Sequence, residues 1–289
     1  MKITPVSKII GGQDGAFVGD YMLRFSSRGE GMVFDASSLG KGAREAAELP
    51  LLSRFSVKAE EALLPHFNAV VLGCERYAAE DAHPLLYANI YNNYAKEADR
   101  KEGMLCAYRL SREGNDFSMT LVQVIRIGFA GDASLWCSEG GNDVRPFGNF
   151  VIDPQNALLY AFTMRDGEKK TRYFSFRLPR LSEGEYSKEY GVPLVTLKKE
   201  DILSFFDTEY HAFIQGACFH EGKIYSSEGF STAPPAALRI IDPAKQAQIA
   251  HFNLADMGYP EEAEWIDFKD GVCYYSDILG NLFRIDFEG

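Results

Sequence analysis

Short apolar runs, rich in β-branched and aromatic residues, recur from one end of the chain to the other. Gly15 to Val18, Asn68 to Cys74, Met119 to Ile125 and Tyr173 to Leu178 are typical. Turn residues bound most of them, which is how strands read in sequence. Helical periodicity is confined to Gly42 to Leu49, Val57 to Leu64 and Lys199 to Phe206. Many strands with almost no helix between them predict a sandwich, a barrel or a propeller and exclude a parallel α/β sheet.

Internal similarity separates these choices. Five segments share one order: a small or polar residue, an apolar strand, a turn, then a strand with aromatics. They begin at Gln13-Asp14-Gly15, His66-Phe67-Asn68, Phe147-Gly148-Asn149, Ile214-Gln215-Gly216 and Glu262-Ala263-Glu264. Repetition of a supersecondary unit is the mark of a radial array. The expected fold is therefore an all-β, five-bladed β-propeller forming a single domain over residues 1–289, with a decorated sandwich as the alternative.

The spacing of the starts is uneven and mostly wider than the ~40–50 residues of regular propeller repeats. Insertions are expected at Asn92 to Gly103 and at Leu181 to Gly191. The last unit ends one strand short, and Ile3 to Ile10 is expected to supply that strand. Closing the ring in this way leaves no long exposed sheet edge.

The stretch Ile214-Gln215-Gly216, then Gly222 to Gly229, then Ala237 to Asp242 resembles bacterial propellers such as the glutamine cyclotransferases. Pro260 to Glu264 falls where such propellers carry a glutamate-containing turn. The resemblance covers residues 214–287 and implies the five-bladed architecture. It also raises a cyclotransferase-like activity using a channel-mouth glutamate. The sequence departs from that family in having only Trp136 and Trp265, where the family lines its pocket with several aromatic residues.

In a propeller the first strand of each blade faces a central channel, and residues two apart on a strand point the same way. Aligning the starts gives Gln13 and Gly15, His66 and Asn68, Phe147 and Asn149, Ile214 and Gly216, and Glu262 and Glu264. A one-residue slip would present Asp14, Phe67, Gly148, Gln215 and Ala263 instead. The expected ligand-binding residues are Gln13, His66, Asn68, Asn149 and Gln215, with Glu262 and Glu264 as acid/base candidates. Carboxylates converging on a dry cavity can have their proton affinities pushed apart, as acid/base chemistry needs. The bland alternative is that these side chains only solvate the channel.

Three function classes follow: a binder of a small polar ligand such as a carbohydrate or peptide-derived molecule, a glycan-active or cyclotransferase-like enzyme, and a protein-interaction scaffold. For the last, the tyrosines Tyr87, Tyr91 and Tyr94 with Asn89, Asn92 and Asn93 suggest a contact surface.

Charge narrows the partners. With 30 Lys and Arg against 41 Asp and Glu, the net charge is −11. An acidic chain without a basic stripe is not expected to bind nucleic acid or anionic membranes. No apolar run is long enough to span a bilayer, and the N-terminus lacks the apolar core of a secretion signal. The five cysteines are widely spaced and fit reduced thiols, so a cytoplasmic protein is expected, and the resemblance to bacterial propellers implies a bacterial one. The five histidines show no zinc spacing. Ser38 to Gly42 lacks the features of a phosphate loop, and no other cofactor motif is seen. No cofactor or metal is expected.

Overall fold

The computed structural model describes residues 1–40, 48–57, 63, 66–90, 103–129, 132, 148–165, 167–211, 213–230 and 234–287. The expected helices at 42–49 and 57–64, most of the 92–103 loop, Trp136, Phe147, Tyr91 and Tyr94 lie wholly or largely outside the described residues.

Five sheets surround a channel, and together they form a five-bladed β-propeller. Blade 1 runs outward from the channel through β2 (Gly15–Val18), β3 (Tyr21–Phe25), β4 (Glu30–Asp35) and β5 (Leu51–Ser56). Blade 2 contains β6 (Val70–Leu72), β7 (Leu86–Ile90), β8 (Met104–Glu113) and β9 (Asp116–Ile127). Blade 3 contains β10 (Asn149–Asp153), β11 (Leu158–Arg165) and β12 (Lys170–Arg177). The chain then leaves it for β13 (Glu185–Tyr186) and β14 (Pro193–Leu197) before returning as β15 (Ser204–Glu209). β14 pairs in parallel with β9, so the excursion widens blade 2 to six strands.

Blade 4 contains β16 (Ile214–His220), β17 (Lys223–Glu228), β18 (Ala237–Asp242) and β19 (Ala247–Asn253). Blade 5 contains β20 (Ala263–Lys269), β21 (Val272–Asp277) and β22 (Asn281–Asp286), and β1 (Lys2–Lys8) completes it from the other end of the chain. As expected, the N-terminal strand closes the ring. Its Pro5 is tolerated because β1 is the outer edge of its sheet, where a missing N–H leaves no ladder bond unmade.

Blades face each other across flat interfaces, so their middle strands are buried on both sides. This is why β3, β7, β11 and β18 are buried along nearly their whole length, while the outer strands β15 and β19 alternate with exposed positions. The described residues form five apolar clusters, one between each pair of neighbouring blades. Two of the hairpins turn through Glu221-Gly222 (φ 46° and 77°) and Asp270-Gly271 (φ 51° and 74°). Two positive φ angles in succession give the turn whose twist matches the strands it joins.

The sequence pattern predicts a helix over Lys199 to Phe206, and the structure differs. Only one 3-10 turn forms, Lys199–Asp201, anchored where Asp201 Oδ2 accepts the Lys198 N–H at 2.6 Å. The following residues become β15 instead, because Ser204 to Glu209 supply the fourth strand that blade 3 lacks. Among the described residues, no helix is long and apolar enough to cross a membrane.

Candidate functional site

Inner strands have no sheet partner on their channel side, so their free N–H groups need acceptors from elsewhere. Neighbouring blades provide them. Asp14, fully buried, accepts the Val70 N–H of blade 2 on Oδ2 at 2.7 Å, and its own N–H donates to Phe67 O at 3.0 Å. Asn149 Nδ2 of blade 3 donates to Asn68 O of blade 2 at 2.9 Å. Asn89 Nδ2 donates to Asn68 Oδ1 and, at 2.5 Å, to Gly148 O. Asn68 and Asn149 therefore meet at the channel's upper end, both buried, and much of their hydrogen-bonding capacity goes into joining blades 2 and 3.

On the opposite side of the mouth, two β-bulges shape the inner strands. In β16 the register slips between Ile214 and Gly216, and in β20 between Ala263 and Trp265. Gln215 and Glu264 are thus the extra residues of matching bulges in consecutive blades, and a bulge re-aims a side chain out of the ladder. Gln215 Nε2 donates to Glu262 Oε1 and, at 2.9 Å, to Gly229 O. Gln13 Nε2 of blade 1 donates to Glu264 Oε1 across a longer 3.4 Å. The structure thereby brings Gln13, Gln215, Glu262 and Glu264 into one constellation. His66 stands half-buried on the approach to β6, beside Phe67.

Behind these residues sits a charge that the strand-start alignment missed. Arg24, on the second strand of blade 1, is fully buried with its guanidinium 5.4 Å from the Trp265 ring centroid. Its Nη2 donates to Gly12 O at 2.9 Å, whereas Nε and Nη1 have no partner among the described residues. Asp14 Oδ1 and Glu264 Oε2 are likewise buried without partners among those residues. A lone arginine within the apolar run Met22-Leu23-Arg24-Phe25 is the signal, since arginine is rarely fully buried without a reason. Asp14 belongs to the alternative register, and the structure makes it a central residue.

Burial sets the protonation of this cluster. It drives the Glu264 carboxyl up to about 8, assisted by the negative charge of Glu262 and opposed by Arg24. Burial also raises Asp14 well above the carboxylate range, against the pull of the Val70 and Gly15 N–H groups and of Arg24. The same burial lowers Arg24 to about 10, with Asp14, Glu264 and Asp277 holding it up. At neutral pH Glu264 is therefore largely protonated, a donor beside an arginine.

Close packing fixes the geometry. A Cβ on Gly216 would lie 3.0 Å from Asp14 Oδ1, 3.0 Å from Glu264 O and 3.1 Å from Ser227 Oγ. Gly216→Ala is expected to cost about 1–3 kcal/mol, because the displaced groups are backbone and buried polar atoms. Urea denaturation checks it: an unchanged midpoint would mean that the three neighbours can move aside.

These elements define a five-bladed propeller with an acidic, amide-rimmed channel mouth. Among solved structures it is similar to the glutaminyl cyclase of Myxococcus xanthus, with TM-score 0.45 and 12% identity over 99% of this chain and 96% of that one. A Swd1 (Cps50) β-propeller domain from Myceliophteria thermophila gives TM-score 0.40 and 9% identity over 99% of both chains. At such scores neither bears on what this chain does. No family model matches the sequence, and no curated protein matches it.

Proposed function

We propose that residues 1–289 act as one propeller domain that binds a small polar ligand, a carbohydrate or a peptide-derived molecule, at the upper channel mouth. The observation that carries this reading is the convergence of Gln13, Gln215, Glu262 and Glu264 over the buried Asp14 and Arg24, each of which has an unpartnered polar atom among the described residues. Buried groups left without partners cost about 1–3 kcal/mol each, so a ligand or ordered water that satisfies them gains that amount. His66, Asn68 and Asn149 form the far side of the mouth in this reading. The free cysteines, Cys74, Cys106, Cys218 and Cys273 among the described residues, favour a reducing compartment such as a bacterial cytoplasm.

An enzyme is the second reading, favoured by the contrast between the two glutamates. Glu264 is buried and protonated, while Glu262 is half-exposed and accepts the Gln215 amide. Paired carboxyl groups in unlike surroundings suit an acid and a base. A protein-contact role would instead use the apolar side chains at the blade ends, where Phe230, Ile278 and Leu279 are exposed.

Calorimetric titration with mono- and disaccharides and short glutaminyl peptides tests the first reading. Saturable binding that falls at least tenfold in Glu264→Ala is expected, with the folded state retained. Silence across the panel, or binding untouched by Glu264→Ala, overturns it. Turnover of aryl glycosides or glutaminyl peptides that Glu264→Gln abolishes would establish the enzyme.

A further inference from the structure

The two ends of the channel differ in chemistry. Where the inner strands finish, opposite the acidic mouth, lies a cavity of about 200 Å³ to which all five inner strands contribute. Ala16, Leu72, Ile152 and Cys218 wall it, and Asp267 is its one carboxyl group among the described residues. Ala16, Cys218 and Asp267 hold matching positions, each two residues before the last paired residue of its inner strand. Blade 5 thus presents an acid where its neighbours present small apolar side chains.

Asp267 is held in place. Its Oδ2 accepts the Phe17 N–H of blade 1 at 2.9 Å, and its Oδ1 accepts the Phe268 N–H at 2.7 Å. Each oxygen of a carboxylate keeps a further lone pair for a donor. Burial raises this carboxyl to about 6, so it is ionised at neutral pH. Among the described residues, no cationic side chain acts on it. Asp267 is half-buried at the cavity wall, and a carboxylate held there without an ion-pair partner among the described residues favours a bound cation.

We propose that this lower mouth is a second ligand site, separate from the upper one, that takes a small organic ammonium. The ammonium donates to Asp267, and its apolar body lies against Ala16, Leu72, Ile152 and Cys218. The volume suits the fit: an engineered apolar cavity of about 150 Å³ accepts benzene. A benzylammonium-sized molecule is therefore near the upper limit.

Ligand-observed NMR titration with benzylamine at neutral pH tests the site, with benzyl alcohol as the uncharged control. Benzylamine is expected to bind saturably, and benzyl alcohol at least tenfold more weakly. Binding should be lost in Asp267→Asn, which removes the charge, and in Leu72→Phe, which fills space at a half-buried wall position. Glu264→Gln should leave it intact. The proposal is overturned if benzylamine does not saturate, if binding survives both lower-mouth variants, or if only Glu264→Gln removes it. In that last case the amine sits at the upper mouth.

Discussion

Removal of residues 1–8 is expected to open the ring and abolish cooperative folding. β1 is not an accessory strand. Its Ile3 is buried in the cluster between blades 4 and 5, and its Val6 in the cluster between blades 5 and 1. Residues three apart on a strand face opposite ways, and the register against β22 slips between Pro5 and Ser7 with Val6 as the extra residue. Burying two such side chains is worth about 3–6 kcal/mol, a large share of the roughly 5–15 kcal/mol that holds a typical domain together. Deletion also bares the edge of β22 from Asn281 to Asp286, a template for pairing with another chain. Circular dichroism melting and size-exclusion chromatography should therefore show loss of the sharp transition and formation of aggregates. A synthetic peptide of residues 1–10 added in trans should restore monomer. A truncated chain that melts sharply and at the same temperature would contradict a ring-closing role for β1.

This closure is legible in the sequence because it follows from counting: five units need a last strand, and Ile3 to Ile10 is the strand without a unit. The inner-strand starts are legible for a related reason, since the repeated small or polar residue before each apolar run marks the channel end. Register is harder. Alternation assigns faces only while the ladder is regular, and the bulges at Gln215 and Glu264 break it where the site is built. Aligning the strand starts reaches Glu264 although its strand is irregular there. The same alignment leaves Asp14 in the alternative register, for want of any sign that its carboxylate bridges to Val70. Arg24 escapes it altogether, because Arg24 reaches the mouth from a second strand and reasoning confined to first strands does not look there. The β13–β14 excursion is visible as an insertion at Leu181 to Gly191, but its parallel pairing with β9 depends on the tertiary arrangement of two blades.

Acid should stabilise this protein through its channel, and Glu264→Gln should remove part of that effect. An unfolded glutamate titrates near 4.5, whereas Glu264 in the folded chain is pushed up to about 8. Between those values the folded state holds a proton that the unfolded state has released, so stability falls as pH rises. The contribution is complete below about 4.5 and is lost as pH climbs through about 8. Asp14 and Asp267, also raised by burial, act in the same direction, so the variant isolates one share of a common slope. Glutamine cannot ionise and keeps an acceptor for the Gln13 amide, so Glu264→Gln should match the parent in acid and exceed it near pH 8. An advantage of about 1–3 kcal/mol there is the scale of a buried charge no longer forced on the fold. Urea denaturation of both proteins at intervals from pH 5 to pH 8.5 measures the difference. Curves that stay parallel throughout would mean that Glu264 is ionised in the folded chain, and with that its role as a proton donor to a ligand would fail.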